Sequence, residues 1–309
     1  MSENTRCGFA AVIGAPNAGK STLVNALVGS KVSIVTPKVQ TTRMPVRGVA
    51  IRGDAQIVFV DTPGIFKPRR RLDRAMVNSA WAGAGDADAG LLLVDAADMS
   101  ANANSPGARD THAIVEELKK NPRRHKTALV LNKIDAMPRA ELLPIVEKLN
   151  VDGLFDQVFM VSALKGDHVG DVADWVAARM PQGPWLYPED QAADIPSRLL
   201  AAEITREKIY LRLHDELPYA SAVETEKWEE RKDGSVKIDQ IIYVQRAGQK
   251  PIVLGKGGAT IKKIGELARH EMEEIFGRRV HLFLFVKVRE NWAEEREHYR
   301  EMGLEFPEE

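Results

Sequence analysis

The sequence predicts an α/β domain with a mostly parallel sheet, followed by a smaller α+β domain. Three observations carry this. From about residue 6 to residue 180, apolar strand-like runs alternate with helix-patterned runs, the order of a parallel sheet covered by helices on both faces. Gly14-Ala15-Pro16-Asn17-Ala18-Gly19-Lys20-Ser21 lies between the first apolar run and the first helical pattern and fits the G-x-x-x-x-G-K-S loop. Beyond a proline-rich stretch the order changes to helix, strand and strand, then a glycine-rich turn, helix and strand.

In the first domain the strands are expected at Phe9–Ile13, Val46–Ile51, Ile57–Val60, Ala89–Val94, Thr127–Leu131 and Val158–Val161. Apolar residues at helical spacing mark Ser21–Val28, Thr111–Leu118, Glu141–Leu149 and Val169–Ala178. Pro181, Pro184, Pro188 and Pro196 then fall close together. Such a stretch neither continues a helix nor pairs as a central strand, so it reads as a linker. The expected division is residues 1–180, a linker at 181–196, and a second domain at 197–309. In that domain a helix near Ser197–His214 precedes strands near Ala220–Glu230 and Val236–Gln245, joined by a Lys232-Asp233-Gly234-Ser235 turn. A helix at Thr260–Phe276 and a strand at Val280–Val288 follow, then an acidic tail from Glu290 to Glu309.

The chain has 309 residues, enough for two cores, with 44% hydrophobic and 28% charged residues. Its net charge of −1 excludes bulk attraction to polyanions, so a nucleic-acid site must be a local patch. Cys7 is the only cysteine. It excludes an intramolecular disulfide or a cysteine metal cluster, fits a reducing compartment, and reads as a small apolar residue opening the first strand. No stretch has the length and apolarity of a membrane-spanning helix, and the N-terminus lacks the apolar run of a signal peptide, so a cytoplasmic location is expected.

The loop at Gly14 is built for phosphate. Glycines allow backbone N–H groups to point inward, Lys20 adds a charge for the β- and γ-phosphates, and Ser21, followed by Thr22, offers a hydroxyl to Mg²⁺. Asp61-Thr62-Pro63-Gly64 follows an apolar strand about forty residues on. Its carboxylate can hold Mg²⁺ through water, and the Gly64 backbone can approach a γ-phosphate. Asn132-Lys133-Ile134-Asp135 ends another strand. Asp135 can accept from guanine N1–H and N2–H₂, a donor pair that adenine lacks, Lys133 can cover the base, and Asn132 can tie its loop to the phosphate loop. Ser162-Ala163-Leu164 suits a loop whose backbone contacts the guanine oxygen. Together these segments predict a GTPase using GTP, GDP and Mg²⁺.

Thr41-Thr42-Arg43 lies in a polar stretch suited to a switch, with Thr42 the favoured Mg²⁺ ligand and Thr41 the alternative. Ile65 follows Gly64 where Ras-like proteins carry a water-orienting glutamine. An isoleucine cannot do this, so another device and slow intrinsic turnover are expected. Asn17 resembles the asparagine of potassium-activated GTPases, which implies a K⁺ held by its amide oxygen near the transferring phosphoryl group. Lys20, Thr42, Gly64 and Asn17 are thus the expected catalytic set.

In the second domain, Gly255-Lys256-Gly257-Gly258 joins the apolar Ile252-Val253-Leu254 to a helix. A Gly-x-x-Gly loop of KH domains clamps the backbone of single-stranded nucleotides. Ten Lys and Arg against four Glu lie between Arg246 and Arg289, among them Lys262 and Lys263 beside the loop. The helix–strand–strand–helix–helix–strand order is that of a type II KH domain.

Taken together, Gly14–Ser21, Gln40-Thr41-Thr42-Arg43, Asp61–Gly64, Asn132–Asp135, Ser162-Ala163-Leu164 and Ile252–Gly258 resemble the bacterial Era GTPases over nearly the full chain. The resemblance implies GTP hydrolysis coupled to binding near the 3′ end of 16S ribosomal RNA, maturation of the 30S subunit, and peripheral attachment to the inner membrane. No DNA partner is expected. The Ala- and Asn-rich stretch Ala97–Asp110 reads as an insertion. Two other readings fit the same residues: a GTPase of tRNA modification or translation with a C-terminal protein-binding module, and a slow-turnover, GTP-gated assembly scaffold.

Overall fold

Strand β1 (Arg6–Ile13) runs through the middle of a six-stranded sheet. Helix α1 (Lys20–Val28) follows it across the glycine loop, and β2 (Val46–Arg52) and β3 (Ala55–Asp61) form a hairpin. Next come α2 (Arg71–Gly85), β4 (Ala89–Asp95), α3 (Ala96–Ala101), α4 (Pro106–Lys120) and β5 (Lys126–Asn132). Helix α5 (Leu142–Leu149), β6 (Gln157–Met160) and α6 (Val169–Ala177) complete this part. The computed structural model describes residues 5–150, 153–290 and 292–308. They form two compact units: one holds the chain up to Ser33, Thr42–Asp194 and the stretch from Tyr299, the other Ile34–Thr41 and Ile195–His298.

The strand order of the first unit is β2-β3-β1-β4-β5-β6, with β2 antiparallel to β3 and every other pair parallel. Period-two alternation sorts the apolar strand residues between two cores. Ala11, Ile13, Leu92, Val94, Leu129 and Leu131 face α2, α4 and α5, whereas Ala10, Val12, Leu91, Leu93, Ala128 and Val130 face α1 and α6. Both faces being covered explains why these strands read as continuous apolar runs. Each fully buried leucine among them stabilises the fold by about 1.5–3 kcal/mol relative to exposure.

The stretch expected as an insertion holds α3 and the start of α4. The Ser105 hydroxyl accepts from the Ala108 N–H at 2.9 Å, and Pro106 occupies the first helical turn. Residues 181–194 run beside the sheet. Ala192 O accepts from Val49 N, and Arg47 O from Asp194 N. The buried Gln56 carboxamide accepts from Leu186 N and Tyr187 N and donates to Tyr187 O. Edge strand β2 thus has its outer backbone groups partly paired, which limits its exposure to pairing with other chains.

The second unit runs α7 (Ser197–Arg212), β7 (Ser221–Glu230), β8 (Val236–Val244), α8 (Gln249–Leu254), α9 (Ala259–Phe276) and β9 (Val280–Val288). β7 and β8 are antiparallel, β8 and β9 parallel, in the order β7-β8-β9. At the hairpin, Asp233 Oδ1 accepts from Ser235 N and Oγ at 3.0 and 2.6 Å. Ile204, Ile238, Ala268 and Met272 anchor one core cluster, and Ile209, Ile242, Val253 and Ile264 a second. This is the helix–strand–strand–helix–helix–strand order expected of a type II KH domain. Ile34–Thr41 packs within this unit on α7. Glu207 Oε1 accepts from Val35 N at 2.8 Å, Arg206 donates to Thr41 O, and Lys38 donates to the carbonyls of Tyr210 and Leu213 at the helix end.

Candidate nucleotide site and nucleic-acid loop

The parallel strands set the site, because the motif-bearing loops leave their C-terminal ends, where open α/β sheets bind ligands. In register, Val12 pairs with Asp61 and Asp95 with Asn132. The phosphate loop then needs glycine for steric reasons. Gly14 has φ +154°, and a Cβ there would lie 2.2 Å from Leu93 O; at Gly19, φ +96°, it would lie 2.4 Å from Asn132 Nδ2. Ala15 and Ala18 are buried and Pro16 half-buried, while Asn17, at φ 63°, is exposed at the loop tip. Gly19 caps α1 without a side-chain hydrogen bond. The first amides of that helix, running into Thr22, therefore face the loop as donors for an anion.

Lys20 is buried, and its Nζ donates to Gly14 O at 3.1 Å and Ala15 O at 2.9 Å. Burial lowers its pKa to about 8, with Asp61 opposing the shift. Ser21 Oγ donates to Asp61 Oδ2 at 2.7 Å and lies 2.9 Å from Thr42 Oγ1, which itself reaches Asp61 Oδ2 at 3.4 Å. Asp61 is fully buried, which raises its pKa, and its Oδ1 has no hydrogen-bond partner among the described residues. A buried carboxylate with an orphaned oxygen beside two hydroxyls is a donor set that fits Mg²⁺. Of the two candidate threonines, Thr41 is engaged elsewhere: its hydroxyl contacts Thr36 Oγ1 at 2.6 Å and Lys38 O at 2.7 Å.

After Asp61, Thr62 Oγ1 donates to Val12 O at 2.7 Å, Pro63 is buried, and Gly64 lies against Pro16, where a Cβ would come within 2.9 Å of the ring. Ile65 N donates to Gly14 O at 3.0 Å, and its side chain is 6% exposed within the sheet core. On the base side, Asn132 Nδ2 donates to Ala18 O at 2.9 Å while Oδ1 accepts from Ala163 N at 3.0 Å. One carboxamide thus joins the phosphate loop to the Ser162-Ala163-Leu164 loop. Ser162 Oγ donates to Asp135 Oδ1 at 2.7 Å, leaving Oδ2 with the distant Lys165 ammonium at 4.0 Å. Leu164 is 80% exposed at the loop tip.

In the second unit, Gly255 (φ +74°) is constrained by Thr260, whose Oγ1 would lie 2.2 Å from an added Cβ. Gly257 (φ +59°) and Gly258 (φ +79°) also adopt left-handed backbone but have open space around them. Lys256 and Lys262 are exposed, while Lys263 pairs with Glu266 at 3.0 Å. The loop opens helix α9 and presents an accessible backbone flanked by positive charge.

Comparison with known proteins agrees with both halves. A family model described as "50S ribosome-binding GTPase" matches residues 9–133, and one described as "KH domain" matches residues 216–293. The GTPase Era of Brucella suis biovar 1 (strain 1330) is 61% identical over 303 residues, covering 98% of this chain and 94% of that protein. The GTPase Era of Caulobacter vibrioides (strain NA1000 / CB15N) is 60% identical over 309 residues, covering 98% and 97%. The chain belongs to the Era GTPase family. GTP hydrolysis is accordingly its activity. A crystal structure of Era in complex with MgGDPNP and nucleotides 1506–1542 of 16S ribosomal RNA has TM-score 0.87 and 38% identity, covering 97% of this chain and 99% of that one. A variant of Aquifex aeolicus Era bound to GDP·AlF4⁻ gives the same values.

The geometry of this Era chain adds residues outside the motifs. Asp95 ends β4, caps α3 by accepting from Asp98 N at 3.0 Å, and pairs with Lys133 Nζ at 2.5 Å. Lys133 itself stands at φ 64°. The only sequence signal for Asp95 is an acid closing an apolar strand. Asn25 Oδ1 accepts from Val32 N and Ser33 N, both at 2.9 Å, fixing the chain that leaves α1.

Proposed function

We propose that the chain is a GTP-hydrolysing switch that binds 16S ribosomal RNA near its 3′ end and assists maturation of the 30S subunit. The observation that carries the switch is the Ser21–Thr42–Asp61 cluster around a buried, half-satisfied carboxylate. The RNA assignment rests on the Gly255–Gly258 loop in a KH unit and on the Era relative crystallised with 16S ribosomal RNA.

In this reading, Gly14–Ser21 wraps the phosphates with its amides, and Lys20 exchanges two carbonyls for phosphate oxygens. Ser21 and Thr42 and, through water, Asp61 would hold Mg²⁺, which when bound neutralises charge on the phosphates. The Gly64 backbone sits beside the loop to sense a γ-phosphate. Asp135, oriented by Ser162, accepts from the guanine edge, Lys133 covers the base, and the Ser162-Ala163-Leu164 loop, tied to Asn132 through the Ala163 amide, brings its backbone to the guanine oxygen. Asn17, exposed at the loop tip, would hold K⁺ by its amide oxygen; equal hydrolysis rates in Na⁺ and K⁺ contradict that assignment. In the KH unit, Gly255, Lys256, Gly257 and Gly258 clamp the RNA backbone, with Lys262 and Lys263 adding charge.

Among the described residues no helix is long and apolar enough to cross a membrane. A cytoplasmic location, with peripheral attachment to the inner membrane, is part of the same reading. Crosslinking in cells tests the whole proposal. Recovery of 16S ribosomal RNA supports it, and a dominant tRNA or protein partner overturns it.

A further inference from the structure

Lys67–Arg74 reads Lys-Pro-Arg-Arg-Arg-Leu-Asp-Arg and begins three positions after Gly64. Five of these eight residues are basic, and the one acid, Asp73, is buried at 2% exposure. Asp73 Oδ2 accepts from the backbone amides of Arg69 and Arg70, each at 3.1 Å. That carboxylate is spent on opening α2. Arg70 reaches Asp73 Oδ1 at 3.4 Å with more than half its side chain exposed, and Arg71 lies over the Phe306 ring, 4.7 Å from its centroid. Lys67, Arg69 and Arg74 are exposed, and among the described residues none of the three makes an ion pair.

We propose that this ridge is a second RNA-contact surface, on the nucleotide-binding unit, that grips ribosomal RNA phosphates. The proposal rests on the RNA-binding reading above and extends it beyond the KH loop. The exposed guanidinium forks of Arg69 and Arg74 suit bidentate phosphate contacts, and Lys67 adds a point charge beside them. In a chain of net charge −1, so local a concentration of cations marks a spot where a polyanion gains what the bulk charge does not offer. Charge alone would also suit an anionic membrane, but a membrane-bound segment needs apolar side chains beside its cations. Here Leu72, Ala75 and Met76 are buried in the fold. The ridge also continues directly from Gly64, so the loop placed to sense the γ-phosphate carries the RNA contact with it.

The test uses the full chain carrying Lys67→Ala, Arg69→Ala and Arg74→Ala together, with two probes: a 12-nucleotide single strand from the 16S 3′ end, and intact 16S ribosomal RNA. The expected result on intact RNA is about 10–100-fold weaker binding at 0.1 M KCl, with the slope of log K against log[KCl] reduced by about two to three. Binding of the 12-mer stays within about twofold, because it is short enough for the KH loop to account for it. An unchanged melting temperature confirms that the triple variant folds. Unchanged affinity and slope on intact RNA overturn the proposal, as does equal weakening on both probes. So does a loss seen only with phosphatidylglycerol vesicles, assayed beside the two RNAs as a membrane control. If the unsubstituted chain binds neither RNA, the RNA reading itself has failed and takes the ridge with it.

Discussion

Ser21 Oγ donates to Asp61 Oδ2 at 2.7 Å, joining the first turn of α1 to the end of β3. The contact brings together two residues forty positions apart whose chemistry makes sense around one divalent cation. Asp61→Asn keeps the shape and removes the charge. We expect the Mg²⁺ concentration for half-maximal GTP hydrolysis to rise about 10–100-fold, as for other outer partners of a metal site. The nucleotide-free protein should lose no thermal stability, since burial already disfavours the ionised carboxylate. A Mg²⁺ titration of the rate, with a melting curve, checks both.

Lys20 gives the site a pH signature. Its pKa is lowered by burial to about 8, against 10.5 for the free side chain. Between these values the unfolded chain holds more protons than the folded one, so stability of the nucleotide-free protein rises with pH across that window. Phosphate oxygens favour the ammonium. Nucleotide binding above pH 8 should therefore take up a proton, and affinity should fall as pH rises further. Calorimetry in two buffers of different ionisation enthalpy measures the uptake. Lys20→Arg, charged throughout, should abolish it.

Asp135 is held by Ser162 at 2.7 Å, which fixes the direction of its acceptor oxygens. Asp135→Asn puts a donor against the guanine donors. GDP affinity should fall by about 5–150-fold, the cost of one unpaired buried group. Xanthine, which presents an acceptor in place of the N2 amine, should gain. Competition of GDP and XDP for a fluorescent nucleotide reads the ratio, and an unchanged ratio would place the base elsewhere.

Ile65 is in the core, so it does not face the phosphate loop as a substitute for a water-orienting side chain. Ile65→Gln should bury an amide at a cost of about 1–3 kcal/mol and leave the single-turnover rate no faster. Denaturant melts and single-turnover hydrolysis test the two halves. A faster rate would mean that this side chain reaches the attacking water.

Much of the candidate site is legible in the sequence because its residues lie at or just past the ends of continuous apolar strands, and such runs mark strand ends well. Asp61 and Asn132 close their strands, and Asp135 lies in the turn that follows Asn132. Helix α2 has a weak sequence signal: it opens with arginines, and several of its core contacts are alanines, Ala75, Ala80 and Ala84, which mark a buried face weakly. The pairing of Asp95 with Lys133 depends on register between two strands, which motif spacing does not report. The seating of Ile34–Thr41 on α7 has no sequence signal either. Val35 and Glu207 are 172 residues apart, and each of these contacts pairs one side chain with a backbone group, which no residue pattern reports.

Nucleotide-gated RNA binding is the central claim, and the KH loop offers a clean variant to test it. Gly257 has open space around it and a left-handed backbone that aspartate tolerates better than most residues, so Gly257→Asp should fold while placing a negative charge against RNA phosphate. The decisive measurement is the dissociation constant of the full chain for the 3′-terminal segment of 16S ribosomal RNA, with Mg²⁺ and either a non-hydrolysable GTP analogue or GDP. We predict binding at least about tenfold tighter with the analogue, a coupling of ordinary allosteric size, and loss of that binding in Gly257→Asp. Equal dissociation constants in the two nucleotide states would contradict the account.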